Sequence, residues 1–172
     1  MELLRRNGIL AGLNLREVAE EAGVNRGLVY HYFGSRRDLL RSALGRDLKT
    51  RLGAITSTAN HPLKVRIGEL LRSMVRTADH VRIAALLFLD GDRSVRFMPL
   101  RDEWLKMLDD DIARKDLGED VDTRALLGII TALSHGYALF RAPIAKELGM
   151  GVREMDERVE SLLADLIQGT TA

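Results

Sequence analysis

Three residues near the start of the chain, Arg26, Tyr30 and His31, have side chains suited to binding nucleic acid. A planar guanidinium such as that of Arg26 can donate two hydrogen bonds to a guanine edge, or contact a phosphate. The Tyr30 hydroxyl and the His31 ring add donors for phosphates or bases. Gly27 has no side chain, so it permits a close approach of the backbone. This cluster therefore predicts an anionic, base-bearing partner.

Helix starts on either side of this cluster are further candidates for phosphate contacts. The sequence Asn14-Leu15-Arg16-Glu17 is typical of a capping box, and Ser35-Arg36 is typical of another helix start. The free N–H groups at a helix N-terminus bind phosphate, and a nearby cation adds to the attraction. The predicted DNA-contacting residues are Asn14, Asn25, Arg26, Gly27, Leu28, Tyr30, His31, Ser35 and Arg36.

A helix-turn-helix is the element that would position these side chains. Gly23 supplies the left-handed backbone that ends a first helix, and Asn25 can cap a second helix that runs to about Tyr32. Gly34 ends this second helix, and a third begins at Ser35. In such a motif the N-terminal residues of the second helix are presented to the major groove of DNA.

The interior of this small unit is predicted from its small and apolar residues. Ala19 lets the two helices approach closely, and three valines are expected to fill the corner between them. Tyr32 and Phe33 are interpreted as core residues rather than as DNA contacts. For Arg37 and Arg41, a DNA contact and a solvated surface position are equally compatible with the sequence. The three corner valines are Val18, Val24 and Val29.

The stretch AGVNRGLVYHYFGSR, residues 22–36, resembles the TetR family of transcriptional regulators. The preceding Leu15-Arg16-Glu17-Val18-Ala19 is similar to the helix before that stretch. Asn25 and Arg36 stand where the family usually has Ser and Lys, and both keep the chemistry of a cap and of a cation. Asn14 stands where Thr or Ser is usual. The first helix is expected to be short, over Leu3–Arg6.

The resemblance implies an all-α fold with two domains. Residues 1–46 would form a helix-turn-helix DNA-binding domain, and residues 47–172 a larger helical domain for effector binding and dimerisation. The implied function is a ligand-responsive repressor that binds a palindromic operator as a homodimer. A small-molecule effector would release it by moving the helix that connects the domains, Ser35 to about Leu52. We expect a cytoplasmic location, which the absence of cysteine fits.

Composition is compatible with this interpretation. The 172 residues are 46% hydrophobic and 30% charged with three prolines, as in ordinary globular proteins, and no segment alternates like a strand. Residues 1–46 carry eight arginines against five acidic residues, which weakly favours an anionic partner. The absence of cysteine excludes disulfides, thiolate metal sites and thiol nucleophiles. The longest run without a charge, Ala125 to Phe140, is shorter than the ~20 residues of a membrane span, so we expect a buried helix and no membrane partner.

The last two predicted helices are candidates for the dimer interface. Thr123–Arg141, capped by Asp122, is too apolar for an exposed helix, and the final helix carries a continuous apolar stripe. Two such helices from each subunit can pack as a four-helix interface. Alternatively, both helices only close the core of the monomer. The predicted interface residues are Leu126, Ile130, Leu133, Tyr137, Met155, Val159, Leu162 and Leu166.

A ligand pocket in the larger unit is encoded only weakly. Large adaptable apolar groups could line a cavity between its helices, and two histidines could add polar contacts. The alternative is that these residues are plain core and that the histidines are satisfied internally. The predicted pocket residues are Met74, His80, Phe88, Phe97, Trp104, Met107 and His135.

Other kinds of site are poorly supported by the sequence. Asp109-Asp110-Asp111 is interpreted as a solvated helix face rather than a metal site, since consecutive helical residues point in different directions. Pro62 suits a first helical turn. The chain has no Gly-rich phosphate loop, His-Glu-x-x-His or Gly-x-Ser-x-Gly motif, and its four histidines are scattered, so we expect neither an enzyme nor a cofactor. A helical protein-interaction module without DNA binding remains the alternative.

Overall fold

The computed structural model describes residues 15–45 and 57–168, and within these ranges it consists of helices joined by turns and loops, without a strand. The predictions for Leu3–Arg6, Asn14 and the connecting segment beyond residue 45 lie outside the described residues. So does the predicted domain boundary at residue 46, which stays a prediction. The described helices are α1 (Leu15–Glu21), α2 (Arg26–Phe33), α3 (Arg36–Gly45), α4 (Leu63–Arg76), α5 (Ala78–Leu89), α6 (Arg101–Ala113), α7 (Thr123–Glu147) and α8 (Val152–Gln168).

Local signals set the ends of the first three helices. Gly23 has φ +66° after α1, and the Asn25 side chain accepts a hydrogen bond of 2.7 Å from the Gly27 N–H at the start of α2. Gly34 has φ +67°, and its N–H donates to the Tyr30 carbonyl at 2.8 Å. The Ser35 hydroxyl accepts from the Asp38 N–H and so caps α3. The predicted turn, cap and stop are therefore confirmed.

A small apolar cluster holds α1, α2 and α3 together. Leu15, Ala19 and Val29 are its buried members, with Phe33 and Leu39 packed against them. Because Val29 and Phe33 lie four residues apart, they define the inward face of α2.

Two residues predicted to lie in this core are outside it. Tyr32 is 76% exposed, since the side of α2 that faces inward is the one carrying Val29 and Phe33. Val24 is also exposed, because it stands in the turn that precedes the Asn25 cap. Both predictions were wrong, whereas the buried Val29 confirms the third corner residue.

In the larger unit, α7 packs against α4, α5, α6 and α8. One core cluster joins α4, α6 and α7 through residues such as Ile67, Leu108 and Ile130. A second cluster joins α4, α7 and α8 through Leu71, Tyr137 and Met155. The long helix thus provides the scaffold on which the other helices are arranged.

The bounds of two helices differ from those predicted. α7 continues to Glu147 rather than ending at Arg141, although Pro143 lies inside it. The last turns persist because Ala145 is fully buried among Leu71, Tyr137 and Met155, and this packing offsets the missing proline N–H. Pro62 directly precedes α4 instead of standing in its first turn.

The exposure of α7 is uneven. By length and composition alone α7 could cross a membrane, but a single helix of this kind is weak evidence for a membrane span. About a fifth (22%) of its most apolar stretch is buried, so the expectation of a buried helix was wrong for one face. The residues exposed on that face include Ile129, Leu133, Phe140 and Ile144.

The first three helices pack on the larger unit through α3 and α5. Leu40 is buried against Ile83 and Leu87, with Val18 and Val95 around them. The position of α3 relative to α5 therefore depends on shared apolar packing as well as on the polar contacts described below.

Candidate nucleic-acid interface and internal cavity

Arg26 and Tyr30 form one exposed pair on α2. They lie four residues apart, the Arg26 Nη2 is 3.4 Å from the Tyr30 hydroxyl, and the guanidinium carbon is 5.2 Å from the centre of the Tyr30 ring. Stacking on an aromatic face restricts the long arginine side chain without neutralising its charge. The pair therefore presents a fixed cation and a hydroxyl at the N-terminal half of α2.

The neighbours of this pair are also accessible. Leu28 is about half exposed (49%), and His31 lies on the same short helix. A Cβ on Gly27 would lie 3.2 Å from the Asn25 Oδ1, so a larger residue would crowd the cap as well as the approach of a partner. An exposed aliphatic side chain beside hydrogen-bond donors suits the methyl group and the polar edges of bases in the major groove.

Tyr32 is a candidate contact that the sequence interpretation missed. Its ring is strongly exposed and meets His31 edge-to-face with ring centres 5.6 Å apart. The helical spacing of Val29 and Phe33 was the available signal, because a helix that buries this pair can leave Tyr32 outside.

The start of α3 carries Ser35 and Arg36. The Ser35 hydroxyl donates to the Asp38 carboxylate at 2.6 Å, and this contact, with a further one from Arg41, holds the pKa of the Asp38 carboxyl below its usual range. Arg36 is exposed. The predicted N-terminal cap is present, and it stands beside a cation.

Arg37 and Arg41, whose role the sequence left open, both contact the segment after α5. The Arg37 Nη2 donates to the Asp90 carboxylate at 2.7 Å and to the Asp90 carbonyl at 3.0 Å. The Arg41 Nε donates to the Asp92 Oδ2 at 2.7 Å. Neither arginine is simply solvated, and their partners lie more than fifty residues away in sequence, which no local pattern indicates.

Asp92 is the buried member of this contact. Its carboxylate also accepts hydrogen bonds from the Ser94 N–H at 2.9 Å and the Ser94 hydroxyl at 2.7 Å. The bond from Arg41, followed by those from Ser94, holds the pKa of Asp92 well below its usual range. The carboxylate is therefore charged at neutral pH and provides a fixed partner for α3.

A cavity of about 350 Å³ lies in the larger unit among α4, α6, α7 and the segment before α6. Four of the predicted pocket residues, Met74, Phe97, Trp104 and His135, line it. Three do not: Met107 packs in the core and Phe88 meets Phe97 edge-to-face, while His80 is absent from the wall.

The cavity wall also contains polar residues that the sequence interpretation missed. Arg66 is buried, and its Nη2 donates to the buried carboxylate of Asp111. The interpretation of Asp111 as part of a solvated face is wrong, because α6 turns this residue inward toward Arg66 on α4. Ser73, Thr131 and Ser134 add oxygen atoms to the wall. On sequence alone, Arg66 looks like an ordinary surface residue of an amphipathic helix.

The predicted interface residues fall into two groups. Leu133, Leu162 and Leu166 are exposed. The others are buried or partly buried inside the protomer, and Tyr137 also donates to the Asp156 carboxylate at 2.7 Å. Burial, together with this bond to Asp156, raises the pKa of the Tyr137 hydroxyl, which therefore stays protonated as a donor. The buried or partly buried residues are Leu126, Ile130, Tyr137, Met155 and Val159.

The described part of the chain contains no cluster of three or more His, Cys, Asp or Glu residues that could hold a metal ion. The basic and aromatic side chains lie on α2, which follows the tight turn after α1. This arrangement is that of a helix-turn-helix DNA-binding protein.

Residues 1–43 match the family model described as bacterial regulatory proteins, tetR family. This match covers about a quarter of the chain, and it supports a TetR-type DNA-binding transcriptional regulator. No curated protein and no solved structure matches the chain. Residues 44–172 lie outside the family match.

Proposed function

We propose that this regulator is a repressor that binds a palindromic operator as a homodimer and leaves DNA when a small-molecule effector binds. The single observation that carries the DNA-reading part is the exposed Arg26–Tyr30 pair on α2, within the family match. Selection from random duplex oligonucleotides at a fixed salt concentration would yield the operator, and an inverted repeat is the expected result.

The contact surface comprises α2 and the start of α3. Its proposed members in the described chain are Asn25, Arg26, Gly27, Leu28, Tyr30, His31, Ser35 and Arg36, together with the exposed Tyr32. Asn14 remains a predicted contact outside the described residues. Arg26 is expected to read a guanine edge or hold a phosphate, and the cap of α3 is expected to hold a phosphate.

Replacing Arg26 and Tyr30 together by Ala tests this surface. The double variant is expected to lose sequence-specific DNA binding while its oligomeric state and helicity remain those of the wild type. Arg158→Ala is a suitable control, because Arg158 is exposed on α8 and pairs only with Glu154 in the described contacts. Unchanged DNA affinity of the double variant would contradict the proposal and favour a protein-interaction module.

A homodimer is supported by the exposed apolar face of α7. Ile129, Leu133, Phe140, Ile144 and Leu148 recur at helical spacing, so they form one stripe on the side turned away from the protomer core. Leu162 and Leu166 on α8 are exposed as well. An apolar surface of this extent normally marks an interface. Two-fold pairing would place the two α2 helices about 34–36 Å apart, one turn of DNA.

The effector site is proposed to be the cavity lined by Met74, Phe97, Trp104 and His135. Its size lies at the lower end of the range for small-molecule pockets, roughly 300–1,000 Å³. Apolar side chains with a few polar groups are the usual lining of such pockets. Predicted roles for His80, Phe88 and Met107 receive no support from the wall of this cavity.

A direct connection between the cavity and α3 supports the proposed release. The segment 92–101 begins at Asp92, which binds Arg41, and continues to Phe97 and Arg101 in the cavity wall. An effector that displaces this segment would shift Asp92 and therefore α3, which changes the spacing of the two reading helices. The effector must bind the DNA-free arrangement more tightly, and this preference limits the size of the effect.

Release is tested by an operator shift assay at stated salt, with and without each candidate effector. A fall in DNA affinity when the effector is added supports a repressor that the effector releases. A rise in DNA affinity would indicate that the ligand acts as a co-repressor or as an activator. No change with a ligand known to bind would contradict the switch. We propose that the protein is a regulator that acts in the cytoplasm, and not an enzyme. The proposed mechanism requires no cofactor.

A further inference from the structure

Arg66 is a fully buried arginine in the wall of the cavity. It is 1% exposed, and one of its nitrogens, Nη2, donates to the Asp111 carboxylate. The Nε and Nη1 atoms receive no acceptor from the part of the chain that the structure describes. A buried N–H without an acceptor carries a large desolvation cost. In the wall of a cavity, this pattern points to an acceptor that the ligand supplies.

The charge around Arg66 is not fully balanced within the buried region. Its partner Asp111 also accepts from the Arg114 Nη2 at 2.5 Å, so two guanidinium groups share one carboxylate. Arg114 reaches the surface, where it has a second partner in Asp116 at 3.0 Å. The buried Arg66 has no such second carboxylate among the described residues. Its positive charge therefore lies in the cavity wall with a single, shared carboxylate partner, where a ligand can neutralise it.

The rest of the wall carries a small excess of positive charge. Arg76 and Arg101 line the cavity together with one acidic residue, Glu69, and Arg101 is paired with Asp102 at 2.8 Å. Glu69 is already bound by Arg72, with 2.9 Å between Oε1 and Nη2. An anionic group inside this wall would be attracted, whereas a cationic group would meet like charges.

The remaining surface of the cavity is largely apolar, with Met74, Phe97, Trp104 and Leu127 among its residues. We propose that the cavity binds an amphipathic monocarboxylate whose carboxylate accepts hydrogen bonds from Arg66 and whose aryl or short alkyl body packs on these side chains. This inference rests on the proposed effector site and assigns its ligand class. The planar guanidinium matches a carboxylate in geometry and charge, and the small volume favours one compact head group.

The first test uses the wild-type chain and matched pairs of probes. Phenylacetate and octanoate are compared with phenylacetamide and octanamide by titration calorimetry, because each amide keeps the shape of its acid and removes the charge. At least one acid is expected to bind, and its amide at least about tenfold more weakly. Equal affinity of acid and amide, or no binding of either acid at about 5 mM, would overturn the proposal.

The second test removes the arginine. Arg66→Met leaves Asp111 buried with a single partner and can impair folding, so Arg66→Met/Asp111→Leu is made beside it to replace the ion pair by apolar groups. The double variant is expected to bind the acid no better than the amide. Lys64→Met is the matched control, since Lys64 lies on the same helix outside the cavity wall, and it should retain the preference. A double variant that still prefers the acid would overturn the role of Arg66.

Operator shift assays separate this inference from the proposed function. An acid that binds through Arg66 without changing DNA affinity would leave the ligand class intact and contradict the effector role. A dimer that binds an inverted repeat but no carboxylate would leave the regulator intact and overturn the ligand class.

Discussion

The Arg41 Nε on α3 lies 2.7 Å from the Asp92 Oδ2 in the segment after α5, and the Asp92 side chain is buried. This ion pair joins the DNA-binding helices to the larger unit, five residues before Phe97 in the cavity wall. Arg37 and Asp90 make a second, more exposed contact beside it. We therefore expect this junction to control both stability and the response to an effector.

Asp92→Asn is expected to lower the melting temperature near neutral pH and to weaken the effect of effector on DNA affinity. The folded-state pKa of Asp92 is depressed, so its contribution to stability is present above the unfolded pKa of about 3.9 and is lost as pH falls toward the folded value. Melting curves of wild type and variant should therefore converge in acid. Asp102→Asn, at an exposed carboxylate paired with Arg101, is the control. A difference in melting temperature between wild type and Asp92→Asn that stays constant at all pH values would contradict the role assigned to the Asp92 carboxylate.

Asn25→Ala is expected to reduce the free energy of unfolding by about 1 kcal/mol, because the cap of α2 is lost. DNA affinity should fall as well, since Arg26 is the first residue of that helix. Asn25→Ser keeps a capping oxygen and should restore most of both quantities. Denaturant unfolding and operator titration measure the two effects, and equal behaviour of the Ala and Ser variants would show that the cap does not matter.

Tyr32→Ala is expected to weaken operator binding without lowering stability, because the ring is exposed and lies outside the small core. Phe33→Ala, at the neighbouring position packed against that core, should instead destabilise the domain. The comparison combines thermal unfolding with DNA titration. If Tyr32→Ala unfolds the domain, the exposed position of the ring is refuted.

Ile129→Glu is expected to convert the proposed dimer to a monomer, because it places a charge in the middle of the exposed apolar stripe of α7. Leu89→Glu is the control, since Leu89 is an apolar residue at the end of α5 that lies outside that stripe and is even more exposed than Ile129 (81% against 65%). Sedimentation velocity at several protein concentrations distinguishes the outcomes. A monomeric wild type, or a dimeric Ile129→Glu variant, would exclude this face as the interface.

The ends of the first three helices were predictable because each depends on residues close by in sequence. These residues are Gly23, Asn25, Gly34 and Ser35. Caps and left-handed glycines act over a few positions, and sequence shows them directly. The end of α7 was not predictable in this way. Pro143 is a local signal to stop, and the packing of Ala145 that overrides it involves other helices.

The candidate cavity shows the same division between local and distant causes. Its apolar residues could be anticipated by type, whereas the buried pair of Arg66 and Asp111 joins positions 45 residues apart on different helices. Nothing in the sequence around either residue indicates the other. The contacts of Arg37 and Arg41 with Asp90 and Asp92 were hidden for the same reason.

Leu40 is buried against Ile83 and Leu87 rather than within the first three helices. A fragment cut after Gly45 would expose this leucine to water and separate Arg41 from Asp92. The isolated N-terminal piece would then lack part of its own interior, so we expect chimaeras that exchange this piece between related regulators to fold well only when the facing surface of α5 is exchanged with it.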